Sequence, residues 1–206
     1  MSRTIRSIAG VPPLAMLDCS STALVLIDFQ NEYYDGLLPI PDGRAALRHA
    51  VELVALADAR RMPVFHIRHT GPAHGALFAA GGALAEIHPA LTPAPHHHVL
   101  SKTTTSSFAS TDLHARLRER GIGTIIVAGL MTHMCVSTAV RDARQFGAAS
   151  YHVIVAADAC ATRDVDGWDG GVLGHRALHD AALTALSDNF ADVLRTAAIL
   201  NLKMKA

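Results

Sequence analysis

The sequence predicts an α/β domain built on a mostly parallel sheet with helices on both faces. Three observations carry that reading: unbroken apolar runs of strand length, segments of helical period between them, and turn-forming residues at the joints. Thr22–Asp28 (TALVLID) is an apolar run that ends on a carboxylate, the pattern of a strand buried on both faces. Asp42–Arg61 follows, with Leu47, Ala50 or Val51, Val54 and Ala57 at helical spacing. Pro63 opens a second strand over Val64–Arg68, and His98–Ser101 fits a third. Ser110 or Thr111 can cap a helix that carries Leu113 and Leu117, and Gly121 stops it. Gly123–Gly129 (GTIIVAG) is the clearest strand. Thr132–Phe146 reads as a helix closed by Gly147, and Tyr151–Ala157 as a further strand. Ala177–Phe190 is helical, and Asp192–Leu200 is a last strand or strand–helix end.

The 206 residues (21.8 kDa) fit one domain, with a core over about 22–200 and an N-terminal extension over 1–20. Half the residues are hydrophobic, so the core needs no disulfide or metal to hold it. Lys plus Arg and Asp plus Glu both number 18, a balance that argues against a protein built to grip nucleic acid or an anionic membrane. Three cysteines, Cys19, Cys135 and Cys160, are too few and odd in number for a disulfide framework, which points to a reducing compartment. Arg3 and Arg6 precede an apolar stretch, but Pro12 and Pro13 break it and no small-residue cleavage site follows. The run Thr124–Met131 is far short of the roughly 20 residues that span a bilayer. A soluble, cytoplasmic protein is therefore expected. Two compositional oddities stand out: 13 histidines, and a single lysine, Lys102, ahead of Lys203 and Lys205.

In open α/β sheets the reactive groups lie just beyond the carboxyl ends of the strands. That rule selects Asp28, the Arg68–Ala83 loop, Lys102, Leu130–Cys135 and the Asp158–Gly174 loop. Thr70–Gly82 and Asp164–Gly174 are Gly-rich and long, as functional loops often are. Cys135 lies three residues after Thr132, a good N-cap, so the start of that helix favours its thiolate. Taken alone, it is as easily a small buried hydrophobe. Lys102 at the end of the third strand offers a compact ammonium beside a thiol, and Asp28 a carboxylate able to take its proton. Each has a bland reading, a solvated lysine or a turn carboxylate. Their convergence on one sheet edge is what signifies, because an acid, a cation and a thiol are the parts of an activated nucleophile.

The stretches LVLIDFQNEY around Asp28, VLSKTTTSSF around Lys102 and VAGLMTHMCVSTAVRDA around Cys135 resemble the isochorismatase-like cysteine hydrolase superfamily, which includes nicotinamidases and carbamoylsarcosine amidases. The likeness runs from about Thr22 to Leu200, and Gly129–Ala139 is its most specific part. The resemblance implies a single three-layer α/β/α domain with a six-stranded, mostly parallel sheet and an Asp28–Lys102–Cys135 triad. It also implies a cis peptide at Leu130–Met131 and an oxyanion hole made by the N–H groups of Met131 and Cys135. The implied reaction is covalent: Asp28 takes the thiol proton, Lys102 holds the thiolate, and Cys135 attacks the carbonyl of a C–N substrate to form a thioester that water cleaves. A homo-oligomer, a dimer or larger, is also implied.

Nicotinamidases of this superfamily carry a metal after the second strand on an Asp-x-His pair. Here the stretch is His66-Ile67-Arg68-His69-Thr70: the aspartate is missing and Arg68 repels a cation. Neither a metal nor another cofactor is expected, although His66, His69 and His74 are conceivable zinc ligands. The rings of His96, His97 and His98 alternate if they enter a strand, so all three cannot meet one ion. Gln30, Phe78, Phe108 and Trp168 lie in or beside the edge loops and are the candidate substrate-binding residues. Arg163 and Arg176 could bind a carboxylate, though surface arginines are the commoner outcome. Cys160 and Cys19 read as spectators.

Two other readings stay open at this stage. Isochorismatases cleave a vinyl ether without needing the cysteine, and a family member can be inactive and serve as an interaction protein. A nucleotide-binding module is disfavoured, because Asp28–Asp42 holds no Gly-x-Gly-x-x-Gly.

Overall fold

The computed structural model describes residues 3–205. In chain order it comprises helix α1 (Ile5–Ile8), strands β1 (Met16–Asp18) and β2 (Thr22–Ile27), helices α2 (Glu32–Asp35) and α3 (Gly43–Ala59), and strands β3 (Val64–His69) and β4 (His98–Lys102). Helix α4 (Leu113–Glu119), β5 (Thr124–Leu130), a π-turn over Thr132–Val136 and α5 (Ser137–Asp142) follow. The chain continues through β6 (His152–Ala161), β7 (Val165–Asp166), β8 (Val172–Leu173), α6 (His175–Asn189), β9 (Asp192–Leu194), α7 (Thr196–Leu200) and β10 (Lys203–Lys205).

Six strands form one sheet in the order β4-β3-β2-β5-β6-β9, and all five pairings are parallel. Alternation along β2 splits the core. Leu24 and Leu26 join Leu53, Ala57, Ile126 and Ile199 on the α3 and α7 face. Val25 and Ile27 join Leu113, Leu117, Val140 and Leu186 on the α4, α5 and α6 face. Both faces are covered, which is why the central strands β2 and β5 are apolar at nearly every position rather than at every other one. Along α3 the buried stripe runs through Leu47, Ala50, Leu53 and Ala57, with Val51 turned outward. Gly121, at φ +66°, ends α4 as expected.

Three features add to or depart from the sequence reading. The N-terminal extension is tied to the body: β1 pairs in parallel with β10, Leu17 is buried, and Arg6 meets Asp192 at 2.8 Å. The Thr132–Phe146 helix is a π-turn followed by a short α5 that ends at Asp142. Thr132 does not cap it, because its hydroxyl is committed elsewhere, and Phe146 leaves the helix to stack on His114 at 3.9 Å between ring centroids. Cys19, read as a spectator, opens a single 3-10 turn over Cys19–Ser21 with its side chain in the core. Among the described residues no helix is long and apolar enough to cross a membrane.

Candidate active site

The carboxyl edge of the sheet is assembled from three strand ends. Asp28 is the first residue past β2 and takes φ +55°, a conformation an L-residue adopts at some cost. Its backbone is held there by Asp28 N–H donating to the Ile67 carbonyl at 2.8 Å and by Gln30 N–H donating to the Asp28 carbonyl at 2.8 Å. Lys102 is the last residue of β4, and Cys135 lies in the π-turn after β5. β5 can bring that turn so close because Gly129 has no side chain: a Cβ there would lie 2.5 Å from the Ile27 carbonyl oxygen. The Leu130–Met131 peptide that follows is cis.

The three predicted residues meet. Lys102 Nζ is 2.8 Å from Asp28 Oδ2 and 3.3 Å from Cys135 Sγ. It also reaches the Thr104 carbonyl at 3.2 Å and His69 Nδ1 at 3.4 Å. Asp28 and Lys102 are wholly shielded from solvent, and Cys135 is 6% exposed. The Asp28–Lys102 contact is an ion pair whose angle misses hydrogen-bond geometry, and Asp28 Oδ1 has no hydrogen-bond donor. The carboxylate thus sits beside its cation in a fully buried setting.

Electrostatics follow from that geometry. Burial raises the Asp28 carboxyl above the usual carboxylate range, against the pull of the Lys102 charge. Burial, aided by the Asp28 charge, pushes the Cys135 thiol up to about 12, although Lys102 opposes it. This departs from the expectation of a thiolate set up by a helix start: burial and the neighbouring Asp28 charge favour the protonated thiol. Burial therefore favours the protonated form of sulfur, beside the Asp28 carboxyl. Burial, then the Lys102 charge, lowers His69, so that ring is neutral.

Cys135 opens onto a cavity of about 370 Å³ whose walls include Tyr33, Leu38, His69, Phe78, Met131, Met134 and Arg163. Of the four candidate substrate contacts, Phe78 alone lines it. Gln30 is buried and structural: its amide donates to the His69 and Ala85 carbonyls and accepts from His69 N–H at 2.7 Å. Phe108 packs against Phe146 and Tyr151 in the core. Trp168 stands fully exposed at the tip of the β7–β8 hairpin, away from the cavity walls. Sequence reasoning passed over Tyr33, Leu38 and Met134. Buried Glu32 places part of this wall by accepting from the N–H groups of Leu37 (2.7 Å) and Phe78 (3.4 Å).

The turn that bears Cys135 is pinned from behind. Thr132 Oγ1 is 2.9 Å from His179 Nδ1, and His133 Nδ1 is 2.6 Å from Thr162 Oγ1. His179 and Thr162 also line a second cavity of about 290 Å³, with Cys160 in its wall. Burial pushes the Cys160 thiol up to about 12, in keeping with an inert thiol.

His66, His69 and His74 do not converge. His66 and His69 project from opposite faces of β3, and His74 sits on an exposed loop. His96 and His97 instead meet Asp58 at the opposite edge of the sheet, each with Nε2 at 2.9 Å from Oδ1. Ala94 N–H donates to His97 Nδ1 at 3.2 Å, so the His97 proton sits on Nε2 and is given to Asp58.

The fold and site define a class, and comparison with known proteins gives it a family. The isochorismatase domain model matches residues 22–198, and the chain belongs to the isochorismatase family of hydrolases. It is 38% identical over 179 residues to the secreted isochorismatase effector Isc1 of Verticillium dahliae, covering 87% of this chain and 92% of that protein. It is 29% identical over 188 residues to the maleamate amidohydrolase of Pseudomonas putida, covering 84% and 82%. The crystal structure of an isochorismatase from Pseudomonas putida KT2440 superposes with a TM-score of 0.88 at 33% identity, covering 96% of this chain and 99% of that one.

Proposed function

We propose that this protein is a cysteine hydrolase that cleaves a C–N bond of a small amide, ureide or carbamoyl compound through a thioester at Cys135. The observation that carries the reading is the buried cluster in which one ammonium, Lys102 Nζ, lies 2.8 Å from Asp28 and 3.3 Å from Cys135 Sγ. A retained thiol beside a base favours covalent attack over water-driven cleavage of a vinyl ether, and the amidohydrolase among the relatives supports an amide-type bond.

In this scheme Asp28 accepts the thiol proton as Sγ bonds to the substrate carbonyl carbon. Lys102 stabilises the sulfur anion during transfer, and the N–H groups of Met131 and Cys135 receive the oxyanion. A donor of that kind is worth about 2.7–4 kcal/mol of transition-state stabilisation. Protonated Asp28 then gives its proton to the nitrogen as the C–N bond breaks and the amine leaves. Water enters, Asp28 takes its proton, and hydroxide displaces sulfur from the acyl carbon. The thiol recovers the proton and the acid departs.

The test is turnover of a panel of small amides, ureides, carbamoyl compounds and vinyl ethers by wild type and Cys135→Ala. Amine release by wild type that Cys135→Ala abolishes is the expected result. Cleavage of a vinyl ether alone, undiminished in Cys135→Ala, contradicts it.

A further inference from the structure

Asp58, His96 and His97 meet where α3 ends and β4 begins, and the catalytic scheme uses none of them. Both ring Nε2 atoms lie 2.9 Å from the same carboxylate oxygen, Asp58 Oδ1, and the three ligand-type atoms all fall within 4.8 Å of one another. In a tetrahedral zinc site, with bonds of about 2.0–2.2 Å, ligand atoms stand about 3.3 Å apart. The two oxygen–nitrogen separations need to open by only a few tenths of an ångström to take an ion. His97, its side chain 2% exposed, has His66 behind it, with Nδ1 at 3.1 Å from His66 Nε2. A ligating imidazole is commonly held in this way by a partner on its other nitrogen. His96 is 68% exposed, yet its ring folds back onto Asp58 and meets His97 edge-on, 4.5 Å between centroids. Asp58 lies in the last turn of the 17-residue α3, where the helix dipole favours a cation. A hollow of about 290 Å³ beside the cluster leaves room for water on the remaining coordination positions. Arg61 and Arg120 border that hollow and oppose any ion held by charge alone. Two imidazoles and a carboxylate select instead for a cation that bonds strongly to nitrogen, over magnesium or calcium.

We propose that Asp58, His96 and His97 form a site for a divalent transition-metal ion, zinc foremost, that clips the end of α3 to the start of β4. β4 is an edge strand, paired with β3 alone, and its last residue is Lys102. The clip fastens this strand at the end opposite its catalytic lysine. The ion takes the place of the proton that each Nε2 directs at Asp58, and each proton passes through solvent to Nδ1 of the same ring. At His97 the new Nδ1–H donates to His66 Nε2, and His66 carries its own proton on Nδ1. All three rings stay neutral, and the Asp58 carboxylate offsets part of the charge of the ion. Ala94 N–H, which donates to His97 Nδ1 at 3.2 Å, turns to water.

The test is a titration of untagged protein, stripped with a chelator and dialysed, with zinc chloride and in parallel with magnesium chloride. Cys135→Ala serves as the parent, so that the catalytic thiol takes no zinc. One zinc per chain is expected, with magnesium bound at least about a hundredfold more weakly. His96→Gln, a change at an exposed side chain, is expected to weaken zinc at least about tenfold, and Asp58→Ala likewise. His74→Gln, on an exposed loop outside the cluster, should leave it unchanged. Zinc should raise the Tm of the parent and not that of His96→Gln. Proton–nitrogen correlation spectra of the imidazole rings should show the His97 proton moving from Nε2 to Nδ1 as zinc is added, with the Ala94 amide shifting in step.

Failure of the parent to bind zinc overturns the proposal, whether or not the variants fold. So does zinc binding that His96→Gln and Asp58→Ala both leave unchanged, or magnesium bound as tightly as zinc. Zinc uptake during which the His97 proton stays on Nε2 overturns it as well, because the ion then sits elsewhere.

Discussion

Thr132 Oγ1 and His179 Nδ1 lie 2.9 Å apart, joining the turn that carries Cys135 to the first half of α6. Thr132 follows Met131 directly, so this bond fixes the backbone that is proposed to receive the oxyanion. The neighbouring pair, His133 with Thr162, holds the same turn against the end of β6. Together they replace the helix cap that the sequence predicts at Thr132.

Loosening that anchor is expected to cost catalysis more than binding. In Thr132→Val or His179→Leu, kcat should fall about ten- to hundredfold, since a small misplacement of a catalytic group has that effect. KM should change little. His179→Asn, whose amide occupies the place of the ring Nδ1, should recover most of kcat. Steady-state kinetics on any substrate found in the panel checks this, and equal losses in kcat/KM for Asn and Leu would refute it.

The pH dependence follows from the raised carboxyl of Asp28. Activity needs its ionised form, so it is present above the Asp28 pKa and lost as pH falls through it. Burial lifts that pKa above the ordinary 3.8, opposed chiefly by Lys102. The acid limb of kcat/KM is therefore expected above pH 3.8. No limb from the Cys135 thiol should appear near 9, because burial and the Asp28 charge push it to about 12. His69, which also faces Lys102, is held low and adds no limb above neutrality. A pH–rate profile from 4 to 10 checks all three statements.

Lys102→Met should both silence the enzyme and reshape its stability. Losing the cation strands a fully buried carboxylate, a change that costs about 3–5 kcal/mol when one partner of a buried pair is removed. The sign of the pH effect is fixed by linkage. With Lys102 gone, the folded-state pKa of Asp28 rises further above its unfolded value, so the folded form binds the extra proton. Stability then falls as pH rises from the unfolded value through the folded one. Urea unfolding between pH 5 and 8 should show the variant losing stability with rising pH more steeply than wild type.

Much of this site was legible in the sequence because its chemistry sits at strand ends. A carboxylate closing TALVLID, a lone lysine closing HVLS and a thiol just past GTIIVAGL mark one edge once the strands are parallel. The pocket was not legible, because its walls come from loops whose course depends on distant anchors. Glu32, a buried acid to which the sequence reading gives no role, sets the positions of Leu37 and Phe78. Phe108 and Trp168 looked alike as aromatics near loops, yet one is packed in the core and the other is bare. Which way a loop side chain turns is decided by packing that local sequence does not encode. The π-turn escaped for the same reason: Thr132 has the composition of a cap, and only α6 reveals its true partner.

The central claim is a bond between Cys135 and the acyl part of the substrate. Intact-protein mass spectrometry after rapid acid quench, on wild type mixed with an amide that it turns over, tests this most directly. The expected spectrum shows a fraction of the protein heavier by the acyl group, mapped to the Cys135 peptide and absent in Cys135→Ala. Turnover by Cys135→Ala at the wild-type rate, with no acylated species in either protein, would contradict it.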